Sequence, residues 1–194
     1  AGGIHAQQSA DSVRTVALDE VVVSESYRTR QEKLTALPVD VVRKDFLSRH
    51  FSGNLVQTLE RIPGVHSMDI GAGFSKPVIR GLGFNRIAVS ENGIKQEGQQ
   101  WGSDHGLEID AFNIDEVRVR KGPASLLFGS DAMGGVIEIL PPATPILSGF
   151  AGEAVLLGKT VNGTLGGSLM MGWKRGAWYV KGRYSEQCYG DYRV

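Results

Sequence analysis

Asp104 and His105 stand side by side in residues 96–107, QEGQQWGSDHGL, and offer a carboxylate and an imidazole at one point of the chain. A neutral imidazole binds zinc, copper or iron, and a neighbouring carboxylate compensates the metal's charge. Trp101 adds an aromatic plate, and Gln99 and Gln100 add amide donors and acceptors. Gly98, Gly102 and Gly106 let the backbone come close to a ligand. This set suits a metal ion or a metal-bearing chelate better than a sugar. Two protein ligands make an incomplete site, since a closed transition-metal site takes about four. His66, Asp69 or loops outside this sequence would have to supply the others. The competing reading is a structured loop in which Trp101 packs as a small core.

Other chemistry is poorly served. His5, His50, His66 and His105 are scattered with no helical ligand pair, and no Ser or Asp sits on a nucleophile elbow. Gly81-Leu82-Gly83 is too sparse for a phosphate loop, and no acidic partner follows at the right distance. Neither catalysis nor a required cofactor is expected. The 21 basic residues balance 21 acidic ones, so nothing in the charge attracts nucleic acid. Cys188 is the single cysteine, which excludes an internal disulfide framework. Arg80, Arg118 and Arg120 read, on their own, as ordinary surface arginines.

The elements that must position this loop are short and strand-rich. Glycine supplies 26 of 194 residues, nearly double its usual share of about 7%, which favours tight turns over long helices. Residues 37–42, LPVDVV, read as an edge strand because Pro38 cannot donate to a ladder. Residues 44–49 suggest a short helix. Leu55, Val56, Leu59 and Ile62 recur on one helical face that Pro63-Gly64 ends. Residues 65–70, 78–80 and 86–89 read as strands, with Asn92-Gly93 as a hairpin turn. A strand with Val117 and Val119 then meets the turn Lys121-Gly122-Pro123. A compact turn of helix near 124–128 follows, and Gly129, Gly134 and Gly135 release the chain into the apolar strand 136–140.

Two further regions differ in character. In residues 1–33 a single apolar island, Leu18-Asp19-Glu20-Val21-Val22-Val23, sits in polar sequence. It is either an ordinary first strand or a strand available to another protein's sheet edge. Residues 1–8 fit equally the tail of a signal peptide and a plain disordered terminus. After the stiff linker 141–147, PPATPIL, residues 148–194 change character and alternate over 164–173 and again over 177–185, where Trp178, Val180, Gly182 and Tyr184 share one face. Leu165, Gly167, Leu169, Met171 and Trp173 fall on one face, and Thr164, Gly166, Ser168, Met170 and Gly172 on the other. No apolar run reaches 18 residues, which excludes a transmembrane helix but not a membrane β-barrel. A soluble sandwich would alternate in the same way.

Residues 114–140, IDEVRVRKGPASLLFGSDAMGGVIEIL, closely resemble the plug domain of TonB-dependent outer-membrane receptors, with Lys121 where an Arg is usual. The helix ending in Pro63-Gly64-Val65, Ile79-Arg80-Gly81 and Asn92-Gly93 also sit where that family has them. The resemblance implies an α+β plug, a small mixed sheet with short helices, over 34–140. The first antiparallel strands of a transmembrane β-barrel would follow over 148–194. Such barrels have about 22 strands, so the chain reads as the N-terminal part of a larger receptor.

The resemblance also implies roles. Residues 18–23 would be the TonB box, pairing with the periplasmic protein TonB. Arg80, Arg118 and Arg120 would face the barrel wall and pair with carboxylates on it. The 96–107 loop would point to the extracellular mouth, making Gln99, Gln100, Trp101, Asp104 and His105 the candidate substrate contacts. The implied activity is TonB-energised uptake of a scarce nutrient, such as a metal chelate, siderophore or haem, across the outer membrane. The rival expectation is a soluble β-rich binding or adhesion module.

Overall fold

The computed structural model describes residues 39–71, 73–97, 105–122, 125, 128–145, 147–160 and 162–190. The chain starts with β1 (Val39–Arg43), α1 (Lys44–Arg49) and α2 (Leu55–Leu59). A hairpin of β2 (Val65–Asp69) and β3 (Ser75–Ile79) comes next, then β4 (Ile87–Glu91) and β5 (Ile94–Lys95). Strands β6 (Glu116–Lys121) and β7 (Gly135–Leu140) complete a mixed five-stranded sheet in the order β1-β6-β7-β4-β5. Only β4 and β7 run parallel. The expected edge strand is indeed at an edge.

The sheet has two unlike faces because β6 alternates aliphatic and charged residues. Val117 and Val119 are fully buried beside Ile137 and Ile139 of β7, under α1, α2 and Ile79 of the hairpin. Glu116, Arg118 and Arg120 alternate with those valines, and Arg118 lies opposite Glu138 in register. Gly135 makes the close approach to the hairpin possible: a Cβ there would lie 2.8 Å from both the Arg120 carbonyl and Ile79. The Asn92-Gly93 turn has positive φ at both residues, 51° and 82°, and joins Glu91 to Ile94 with two residues between, as the sequence predicts. Beyond that hairpin, Lys95 donates to Asp131 at 2.5 Å. That hydrogen bond, with one from Ser130, holds the exposed Asp131 carboxyl below its ordinary pKa.

The second helix is shorter than its apolar face suggests. It ends at Leu59, and the face continues to the buried Ile62 through turns closed by Ile62 N–H to Leu59 O at 2.9 Å and Val65 N–H to Ile62 O at 3.1 Å. Its start is held by Asn54, whose side chain accepts from the Gln57 N–H at 2.9 Å and donates to Ser75 Oγ at 2.7 Å. Asn54→Ala removes this cap and its tie to the hairpin together. Expected is a local loss of about 1–2 kcal/mol, read as faster amide exchange over 55–59 and 75–79. Unchanged protection would refute that account.

Three long antiparallel strands follow: β8 (Gly149–Lys159), β9 (Thr164–Arg175) and β10 (Trp178–Cys188), in the order β10-β9-β8. Strands of 11, 12 and 11 residues span roughly 36 Å and, tilted at about 45°, cover the ~25 Å apolar band of an outer membrane.

Candidate functional site

The β2–β3 hairpin ends in a glycine-rich tip, Ile70 to Phe74, closed by the Ile70 N–H donating to the Phe74 carbonyl at 3.0 Å. Phe74 is 48% exposed and Ile70 is also open to solvent. Beneath the tip, Asp69 accepts from Ser67 Oγ at 2.5 Å and from Ser75 Oγ at 2.6 Å. Partial burial works to raise the Asp69 pKa, but hydrogen bonds from Ser67, Ser75 and Gln57 outweigh it and hold the carboxyl below its usual range. The tip is thus anchored at its base and presents Ile70 and Phe74 to solvent.

The candidate loop re-enters the fold against this tip. Leu107 N–H donates to Ser75 O at 3.0 Å. Gly106 is buried so closely that a Cβ would lie 2.7 Å from Phe74 Cβ and 3.1 Å from Ser75 N. His105, one residue earlier, is exposed. Tyr189, just beyond β10, leans on the same tip: a Cβ on Gly73 would lie 2.4 Å from its ring. His105, Phe74, Ile70 and Tyr189 therefore border the same hairpin tip. Gln99, Gln100, Trp101 and Asp104 lie outside the described residues, as do Leu18, Asp19, Glu20, Val21, Val22 and Val23. The sequence signal for the tip was IGAGF, apolar residues on either side of a glycine turn, and it was read only as the end of a strand.

His66 and Asp69 do not complete a metal site together. Three positions apart on β2, they project to opposite faces of the hairpin. Among the described residues no three His, Cys, Asp or Glu side chains gather to hold a metal ion.

The three arginines meet partners that the sequence analysis did not foresee. Arg118 Nε lies 2.6 Å from Glu116 Oε1, and Arg120 Nε lies 2.8 Å from Glu138 Oε2, all on one face of the five-stranded sheet. Arg120 also stacks over the Phe128 ring, 5.6 Å from its centroid. Arg80 is exposed at a positive φ of 51°, with its guanidinium beside Gly122. Among the described residues, the carboxylates that meet Arg118 and Arg120 belong to the plug sheet: Glu116 stands two residues from Arg118 on β6, and Glu138 of β7 reaches Arg120 diagonally.

The seam between the small sheet and the long strands carries a second polar group. Lys44 Nζ donates to Glu153 Oε1 at 2.6 Å, and Arg183 Nη2 lies 3.3 Å from Glu153 Oε2. Arg183 Nη1 donates to Ser168 Oγ at 2.8 Å. Ser185 Oγ lies 2.9 Å from Asp110 Oδ2 and 3.0 Å from Ser168 Oγ. Lys174 Nζ reaches the Pro145 carbonyl. On the opposite side of these strands Phe150, Leu156, Leu165, Leu169, Met171, Trp173, Val180 and Tyr184 are exposed, from 46% at Trp173 to 93% at Leu156. The two faces read from the alternation are the two faces observed.

Comparison with known proteins follows this geometry. The family model described as TonB-dependent Receptor Plug Domain matches residues 31–136. The chain is 28% identical over 166 residues to the vitamin B12 transporter BtuB of Photobacterium profundum, covering 82% of this chain and 26% of that protein. It is 29% identical over 109 residues to the iron-regulated outer membrane virulence protein of Vibrio cholerae, covering 53% of this chain and 17% of the relative. The fold is similar to that of the siderophore receptor PirA from Acinetobacter baumannii, with a TM-score of 0.62 at 20% identity, over 80% of this chain and 25% of that one. The chain thus spans about a quarter of the length of the first of these relatives.

Proposed function

The chain belongs to the plug-domain family of TonB-dependent receptors of the outer membrane, and from that premise we propose that it gates the energised uptake of a scarce metal chelate, of the siderophore, haem or cobalamin kind. Residues 34–140 form the plug, 148–194 begin the barrel around it, and 141–147 join them. The observation that carries the reading is the pairing of unlike surfaces on one strand set. β8, β9 and β10 turn a continuous apolar face outward, as lipid requires, and hold a plug by ion pairs and hydroxyls on the inner face.

Substrate settles on the outward tip of the plug. Phe74, Ile70 and His105 offer the exposed surface there, Gln99, Gln100, Trp101 and Asp104 are the further proposed contacts, and Asp104 with His105 supplies the donors for any metal the substrate carries. An apolar, aromatic floor with few charges suits the organic shell of a chelate. Occupation of this floor makes residues 18–23 available to TonB, whose pull displaces the plug. Arg80, Arg118 and Arg120 lie towards barrel strands that complete the ring. No step calls for a resident cofactor, and the metal is cargo.

A strain lacking the receptor, grown with ferric siderophore, haem or cobalamin as the limiting nutrient, tests this. Growth is expected to fail on one of them and return on complementation, and uptake to stop when the proton gradient is dissipated. In that assay Asp104→Ala with His105→Ala weakens binding about tenfold, ~1.4 kcal/mol, at unchanged receptor abundance. Normal growth on all three nutrients would overturn the reading.

A further inference from the structure

The contacts across the seam share a design. Lys44 belongs to the plug: it opens α1, directly after the edge strand β1, and its backbone N–H is fixed to Asp115 O at 2.7 Å. Glu153 belongs to the barrel, and so does Arg183. Both are registered against Met170 of β9, so they stand on the inner face two strands apart, roughly 10 Å between backbones. Their side chains bridge that gap. Glu153 gives Oε1 to Lys44 at 2.6 Å and Oε2 to Arg183 at only 3.3 Å.

Arg183 is placed to do more than it does. Its side chain is only 7% exposed, its Nη1 is anchored on Ser168, and its buried Nε has no hydrogen-bond partner among the described residues. A guanidinium binds a carboxylate best through two parallel N–H donors, and here one of the two donors is unused. The neighbouring hydroxyl follows the same logic. Ser185 Oγ has one proton and two acceptors within reach, Asp110 of the plug at 2.9 Å and Ser168 of the barrel at 3.0 Å.

We propose that Glu153 is an exchange point in a plug latch: it holds Lys44 while the plug is seated and closes onto Arg183 Nε and Nη2 as the plug leaves, while Ser185 turns from Asp110 to Ser168. A carboxylate that lost its only partner on this inner face would be stranded, and the penalty would oppose plug withdrawal. With Arg183 alongside, each barrel group that releases the plug already has a barrel partner. The latch rests on the reading that the plug is displaced during transport.

The test is single-molecule pulling on the N-terminal segment of the full receptor in a bilayer, which measures plug release at fixed force without any substrate. Lys44→Met is expected to speed release about tenfold, ~1.4 kcal/mol, and to sensitise cells to vancomycin, which the closed outer membrane excludes. Arg183→Met is expected to slow release about tenfold, ~1.4 kcal/mol, because Glu153 then has only Lys44, and Arg183→Lys is expected to recover most of the rate. Should Arg183→Met fail to assemble, Arg183→Gln, which keeps a donor for Ser168 without the charge, carries the same expectation. Release that is unchanged or faster in the Arg183 variant overturns the latch. Failure of the transport reading would show separately, as wild-type uptake that continues without TonB.

Discussion

Met171→Arg is expected to keep the receptor from assembling in the outer membrane. Met171 lies midway along β9, is 54% exposed, and is flanked in register by Gly152 and Gly182, so no polar side chain stands directly opposite it to shelter a charge. An Arg on the lipid face near the bilayer midplane costs about 2–4 kcal/mol, a factor of roughly thirty to a thousand in the inserted population. The opposite face offers the control. Lys181 and Arg183 of β10 already place cations there, so Lys181→Gln is expected to assemble normally. Heat-modifiable, folded receptor in the outer-membrane fraction is the readout. Wild-type abundance for Met171→Arg would mean that this face does not meet lipid, and the soluble-module reading would regain its place.

How much of this was legible in the sequence depended on the range of the interaction. The period-two alternation over 164–173 and 178–185 matched the observed faces, because in a strand the side-chain direction follows from position alone. The Asn92-Gly93 turn was legible because its positive φ angles demand those residue types. The α2 boundary was less so: Ile62 continues the apolar face, but the chain reaches it through turns rather than helix.

Partner identity was not legible. Lys44 and Glu153 are 109 residues apart and Ser185 and Asp110 are 75 apart, and no local pattern announces that they meet. The arginines illustrate the same limit from the other side. The family resemblance directed Arg118 and Arg120 to the barrel; it gave no hint that Glu116 on the same strand and Glu138 diagonally across on β7 also stand beside them. The parallel pairing of β4 with β7 is a crossover spanning more than forty residues, and it is this pairing that joins β4 and β5 to β1, β6 and β7 in one sheet.

The largest functional effect is expected from Val22→Pro. Residues 18–23, LDEVVV, lie outside the described residues, and their backbone chemistry alone sets the expectation. Three consecutive β-branched residues favour an extended chain, and an extended segment joins a partner's sheet through alternating N–H and C=O groups. Proline deletes one N–H, and its ring obstructs the approach of the neighbouring strand. If Leu18–Val23 is the strand that TonB grips, energised uptake should fall to the level of a strain without TonB. Substrate affinity should stay unchanged, because none of the proposed substrate contacts belongs to residues 18–23. Val22→Thr keeps both the donor and the β-branch and should transport normally. Binding and uptake measured on the same cells separate the two effects: loss of both would indicate misassembly, and uptake at the wild-type rate in the proline variant would mean that TonB takes hold elsewhere on this chain.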